Sequence, residues 1–219
     1  SREGRCVELL RAGCLDADKA RGTVLLTSRH HCCETMGTYV MEGLLDSVLA
    51  DDDLGRRWRE RWLVLAVPFM DKDGVEKGDQ GKNRDPHDHN RDYIAQPLYP
   101  EVAALMRLGD GLRGRGAGAG PEVAAMLDLH CPTLRGEWND RAYLVGSSDP
   151  FVWENQQAFM ATLERLRRGP VPFDPQRCLL PYGVAWNKAE SPAEQADGAR
   201  KAQLRSSAGW ARDTFPEAL

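Results

Sequence analysis

Trp62-Leu63-Val64-Leu65-Ala66-Val67-Pro68-Phe69 is an apolar run with no polar residue at alternate positions. A strand with one face in water alternates; one that does not is covered on both faces, as in sheets layered between helices. Upstream, Thr23-Val24-Leu25-Leu26-Thr27 is a shorter run of the same kind. Between them Met36, Val40, Leu44 and Val48 recur at helical spacing, predicting a helix from about Thr35 to Leu49, and a charged helix covers Asp53 to Arg61. Downstream, the pattern predicts a helix over Pro100 to Leu108 and core strands over Val123 to Leu129 and Ala142 to Val145. Further helices are expected over Phe151 to Arg168 and Ala193 to Asp213. Asp71 to Tyr93 reads as a long polar loop, Gly109 to Gly120 as a flexible surface connection, and Pro170 to Pro181 as irregular. Strands alternating with helices predict an α/β fold: a mixed, largely parallel twisted sheet with helices on both faces.

The chain has 219 residues, 42% of them hydrophobic, and a net charge of -4. That size suits one domain spanning residues 1–219. The mild negative charge argues against a nucleic-acid partner, and no apolar run approaches the roughly 20 residues that cross a bilayer, so no membrane partner is expected. Oligomeric state leaves no mark on the sequence. The six cysteines (Cys6, Cys14, Cys32, Cys33, Cys131 and Cys178) show no disulfide-scaffold spacing, which predicts reduced thiols and a cytoplasmic setting. The chain opens at Ser1 rather than at a methionine, and truncation at both ends is expected.

The five histidines fall in three segments, each after a predicted strand or in the polar loop: His30 and His31, His87 and His89, and His130. Ligands of α/β folds collect beyond the carboxyl ends of the strands. His31 and Glu34 are three apart at the entry to a helix, where such residues point the same way. An imidazole and a carboxylate there, joined by His130 from the end of another strand, make a three-ligand site with one position open, as in catalytic zinc centres. Cys32 and Cys33 are alternative soft ligands, although no CxxC partner pair exists. A His and a Glu at this spacing also occur together by chance.

The order of these motifs resembles the zinc carboxypeptidase superfamily, and its cytosolic carboxypeptidase-like branch in particular. The resemblance rests on His31-Cys32-Cys33-Glu34, Asn90-Arg91, strand-terminal His130 and the stretch Val67-Pro68-Phe69-Met70-Asp71-Lys72-Asp73-Gly74-Val75-Glu76, and covers about Gly22 to Val145. It implies one Zn2+ held by His31, Glu34 and His130, with Asn90 and Arg91 gripping the free carboxylate of a peptide substrate. Arginine suits that task because its planar fork pairs bidentately with a carboxylate; a surface ion pair of Arg91 with Asp88 or Asp92 is the plainer reading. Asp128 is a candidate acceptor for a ligand histidine, or a strand-end turn residue.

The sequence departs from the family in two places. The arginine that polarises the scissile carbonyl falls, by its usual offset from Asn90, at Gly81, leaving Lys82 or Arg84 for that role. The family's general-base glutamate has no match in a strand-like run after His130, so it is expected beyond Leu219. Tyr182, or else Tyr143, is the candidate for the family's mobile tyrosine. The implied activity is removal of a C-terminal residue from a peptide or peptide-like amide. The alternatives are an N-acyl-amino-acid deacylase of the desuccinylase/aspartoacylase type, acting on an acylated amino acid, and a metal- or peptide-binding pseudoenzyme.

Overall fold

The computed structural model describes residues 1–16, 18–113, 122–131, 138, 141–171, 173–188 and 204–218. They divide into two compact units, Ser1–Pro132 with Leu204–Ala218, and Thr133–Gln203 with Leu219.

The first unit is built on a four-stranded sheet of β1 (Leu10–Gly13), β2 (Gly22–Ser28), β3 (Trp62–Val67) and β4 (Val123–Leu129) in the order β1-β3-β2-β4. β2 runs parallel to both β3 and β4, and β1 is an antiparallel edge. Its helices are α1 (Thr35–Leu49), α2 (Asp53–Arg61), α3 (Lys72–Lys77), α4 (Pro100–Leu112) and, last in the chain, α6 (Ser207–Thr214). The missing alternation in β3 has a direct cause: its two faces feed two cores. Leu63, Leu65 and Val67 pack with Val102 and Leu105 of α4 and Trp210 of α6. Val64 and Ala66 pack with Met41 and Val48 of α1, and Trp58 of α2 joins them. Helices thus cover both faces, as expected.

Several elements differ from the sequence expectation. β1 has two exposed and two half-buried residues and offers no apolar pattern to detect. The polar stretch after Asp71 is not all loop. Asp71 caps α3 by accepting from Gly74 N, and Gly78 ends the helix in the left-handed region at φ 73. A single 3-10 turn spans His89–Arg91. Gly109 lies inside α4, not in a connection; a Cβ there would stand 2.4 Å from Cζ2 of Trp210, which is why the helix carries a glycine at this point. Residues 114–120 of the glycine-rich connection lie outside the described residues, as do 193–203 of the last predicted helix.

The second unit holds α5 (Pro150–Leu166) and a separate two-stranded parallel sheet, β5 (Leu144–Val145) with β6 (Leu179–Leu180). Asp149 caps α5, accepting from Phe151 N and Val152 N. The predicted fourth core strand is therefore a two-residue strand outside the main sheet, and its partner comes from the segment expected to be irregular. Runs this short carry no periodicity, so pairing alone decides them.

Candidate metal centre

Because β2, β3 and β4 are parallel, their carboxyl ends share one edge of the sheet. From that edge emerge Arg29-His30-His31, Met70-Asp71 and His130. The turn after β2 is tightly held. Arg29 takes φ 61, and its buried guanidinium donates to the Cys32 carbonyl at 2.7 Å and to Thr38 Oγ1 at 3.2 Å. This brings Glu34, 2% exposed, to the start of α1.

Glu34 is the meeting point. Its Oε1 lies 3.0 Å from Nδ1 of His31, and its Oε2 lies 2.8 Å from Nδ1 of His130. Ligand atoms of His31, Glu34 and His130 all lie within 4.8 Å of one another. Two imidazole nitrogens and one carboxylate form a donor set that suits zinc and leaves a fourth position for water or substrate. The residues present therefore fit the metal that the sequence pattern implies. Neither adjacent cysteine is turned to this purpose. Cys32 is buried and donates to the Asp79 carbonyl at 2.9 Å, with its thiol pushed up to about 12 by burial and then by Asp71, and Cys33 is exposed.

A second layer fixes the first. Nε2 of His130 lies 2.9 Å from Oδ2 of Asp128, whose Oδ1 accepts from Thr27 Oγ1 at 2.8 Å. Asp128 thus sits as an acceptor for a candidate ligand histidine. His30, fully buried, places Nδ1 3.0 Å from Asp128 Oδ1 and Nε2 2.6 Å from the Tyr93 hydroxyl. Burial lowers the His30 pKa despite Asp128.

The cluster is electrostatically balanced. Burial alone would raise Glu34, but His130, His31 and Lys82 outweigh it and hold the carboxyl well below its usual range. Burial likewise opposes charge on His130, yet Asp128 and Glu34 push its pKa up to about 10, in keeping with both ring nitrogens donating to carboxylates. His31 is raised against burial by Asp88 and Glu34.

Of the remaining candidates, Lys82 joins the cluster, with Nζ 2.8 Å from Glu34 Oε1. Arg84 does not: its guanidinium is bound to Asp71 at 2.5 Å and lies 3.3 Å from Asp79. Gly81 has φ 88, and a Cβ there would lie 2.6 Å from the Cys32 backbone nitrogen, so no side chain fits at the position of the family's arginine. Asn90 turns Oδ1 toward Ser207, which donates its backbone N–H at 3.1 Å, so the amide NH2 faces away. Arg91 is exposed and bonds its neighbour's carbonyl at 3.2 Å, while Asp92 is committed to His87 and to the backbone of Leu98 and Tyr99. Tyr182 is 46% exposed and belongs to the second unit. Sequence reasoning missed Ser207, which contacts both Asn90 and Asp128. Its only local signal is a helix-start serine pair.

No family model matches the chain. Over 116 residues it is 35% identical to mouse cytosolic carboxypeptidase 3, covering 52% of this chain and 11% of that protein. In structure it resembles a carboxypeptidase A-like protein of Shewanella denitrificans (TM-score 0.63, 22% identity, covering 99% of this chain and 51% of the other). It also resembles a metallo-carboxypeptidase of Pseudomonas aeruginosa solved with (2-guanidinoethylmercapto)succinic acid (TM-score 0.63, 21% identity, 100% and 51% covered). The fold is that of the metallocarboxypeptidases. By sequence the chain is homologous to the cytosolic-like branch of the zinc carboxypeptidase superfamily. It spans about a tenth of the length of the curated relatives it matches and about half of the solved chains. Among the described residues, no helix is long and apolar enough to cross a membrane.

Proposed function

We propose that this chain carries the metal-binding part of a zinc carboxypeptidase-type hydrolase that removes a C-terminal residue from a peptide or peptide-like amide. The observation that carries this reading is the convergence of His31 Nδ1, Glu34 and His130 Nδ1 at the carboxyl ends of parallel strands. His31, Glu34 and His130 would hold the ion, with Asp128 fixing the His130 ring. When bound, zinc supplies Lewis acidity, activating water and polarising the amide carbonyl.

The chain's own residues do the rest. Arg91 offers an unburied guanidinium fork, and Asn90 an NH2 turned away from Ser207; together they suit the free carboxylate of a substrate. A succinic acid derivative bound by the Pseudomonas aeruginosa neighbour is consistent with carboxylate recognition. Lys82, already at Glu34, is better placed than the braced Arg84 to meet the scissile carbonyl oxygen. Six free cysteines support the cytoplasm as the setting.

Metal analysis of the purified chain tests the core of this. About one zinc per chain is expected for the parent and near none for His31→Ala and His130→Ala. Comparable zinc in all three would refute the assignment. Release of the last residue from an N-blocked dipeptide, against release of the acyl group from an N-acyl amino acid, separates peptidase from deacylase.

A further inference from the structure

Lys82 Nζ and His31 Nδ1 approach the same oxygen, Glu34 Oε1, at 2.8 and 3.0 Å. The Glu34 side chain is 1% exposed and that of Lys82 26%. A carboxylate buried to this degree needs a compensating cation, and removing one partner of such a pair is costly. The ammonium also donates to the Cys131 carbonyl at 3.2 Å, and the Lys82 backbone N–H is fixed by Gln80 Oε1 at 2.7 Å. The base of the lysine is thus anchored while its head reaches the cluster along a flexible stem from a partly open position.

We infer that Lys82 is a displaceable counter-cation of Glu34: alongside His130 and His31 it helps balance this carboxylate, and it competes with a metal ion for it. The inference rests on the zinc reading above and adds a regulatory role to a residue otherwise assigned to substrate. A divalent ion and an ammonium sharing one carboxylate oxygen repel, and the repulsion is strong where burial lowers the effective dielectric. Lysine suits displacement better than arginine. It is a point charge on a four-carbon stem and can swing aside, whereas a guanidinium fork stays locked in its pairs, as Arg84 does on Asp71. The same departure from Glu34 would free the ammonium to meet a substrate carbonyl.

The consequence has an unusual sign: deleting this cation strengthens metal binding. Zinc affinity is measured by competition with a chromophoric chelator for the parent, Lys82→Met and Lys82→Arg, alongside melting of each metal-free protein. Lys82→Met is expected to bind one zinc about tenfold more tightly than the parent and to melt lower without metal. Lys82→Arg keeps the charge but holds the carboxylate with a fork that does not swing aside, so it is expected to bind zinc more weakly than the parent. Unchanged or weaker zinc binding by Lys82→Met overturns the inference and leaves the zinc reading standing. Absence of zinc from the parent overturns both. If Lys82→Met does not fold, Lys82→Gln serves for the same comparison with the same outcomes.

Discussion

Oδ2 of Asp128 lies 2.9 Å from Nε2 of His130, two residues on along the same chain, while the other nitrogen of that ring lies 2.8 Å from Glu34. Residues i and i+2 of an extended segment project to the same side, so β4 delivers the ligand candidate and its orienting carboxylate together. Asp128→Asn keeps the shape and removes the charge that fixes the ring. Zinc affinity should fall about 10–100-fold with the fold intact. Competition titration together with circular dichroism checks this, and undiminished affinity would show that Asp128 does not orient the ligand.

Gly81 answers a question the sequence raised. Restoring a side chain at the family's arginine position should harm the protein rather than improve it. Gly81→Ala places a Cβ 2.6 Å from the Cys32 backbone at φ 88. A loss of about 1–3 kcal/mol in folding stability is expected, with weaker zinc binding because the His31 turn must shift. Denaturant titration and zinc analysis measure the two effects.

Arg91 offers a separation of function. It is exposed and makes one local bond to the Asn90 carbonyl, so Arg91→Ala should change stability by less than about 0.5 kcal/mol. Zinc stoichiometry should stay at the parent value, while binding of a peptide with a free C-terminal carboxylate weakens and binding of its C-terminal amide does not. Equal weakening for both peptides would remove Arg91 from the carboxylate grip.

Tyr99 braces the polar segment. Its hydroxyl donates to the His87 carbonyl at 2.7 Å, its ring stacks on His89 at 3.7 Å, and burial pushes its pKa up to about 12 from 10.0. Between those values the unfolded chain releases the tyrosine proton and the folded chain keeps it, so stability falls as pH rises from about 10 to 12. Tyr99→Phe should lose about 1 kcal/mol at neutral pH and show a shallower decline over that alkaline window. Urea denaturation at several pH values compares the two slopes, and parallel slopes would exclude Tyr99 as a source of alkaline sensitivity.

The layered α/β architecture was legible wherever local pattern is strong. β3 is apolar on both faces because both faces meet helices, and α1 and β4 carry equally plain signals. The helix α3 was hidden inside a stretch read as polar loop, because its six residues hold a single apolar side chain, Val75, and so carry no helical period. The edge strand β1 and the β5–β6 pair left no pattern, since short pairings are set by whatever lies alongside.

The sequence by itself determined the candidate ligands. Imidazole, carboxylate and strand-end placement are properties of His31, Glu34 and His130 and of the segments that carry them. Only the tertiary structure decided how these groups meet: that Lys82 reaches Glu34 while Arg84 is held by Asp71, that position 81 has no room for a side chain, and that Ser207 touches both Asn90 and Asp128. The physical reason is range. Periodicity and capping act over a few neighbouring residues, whereas these contacts exist only after parallel strands, far apart in the chain, have been set side by side.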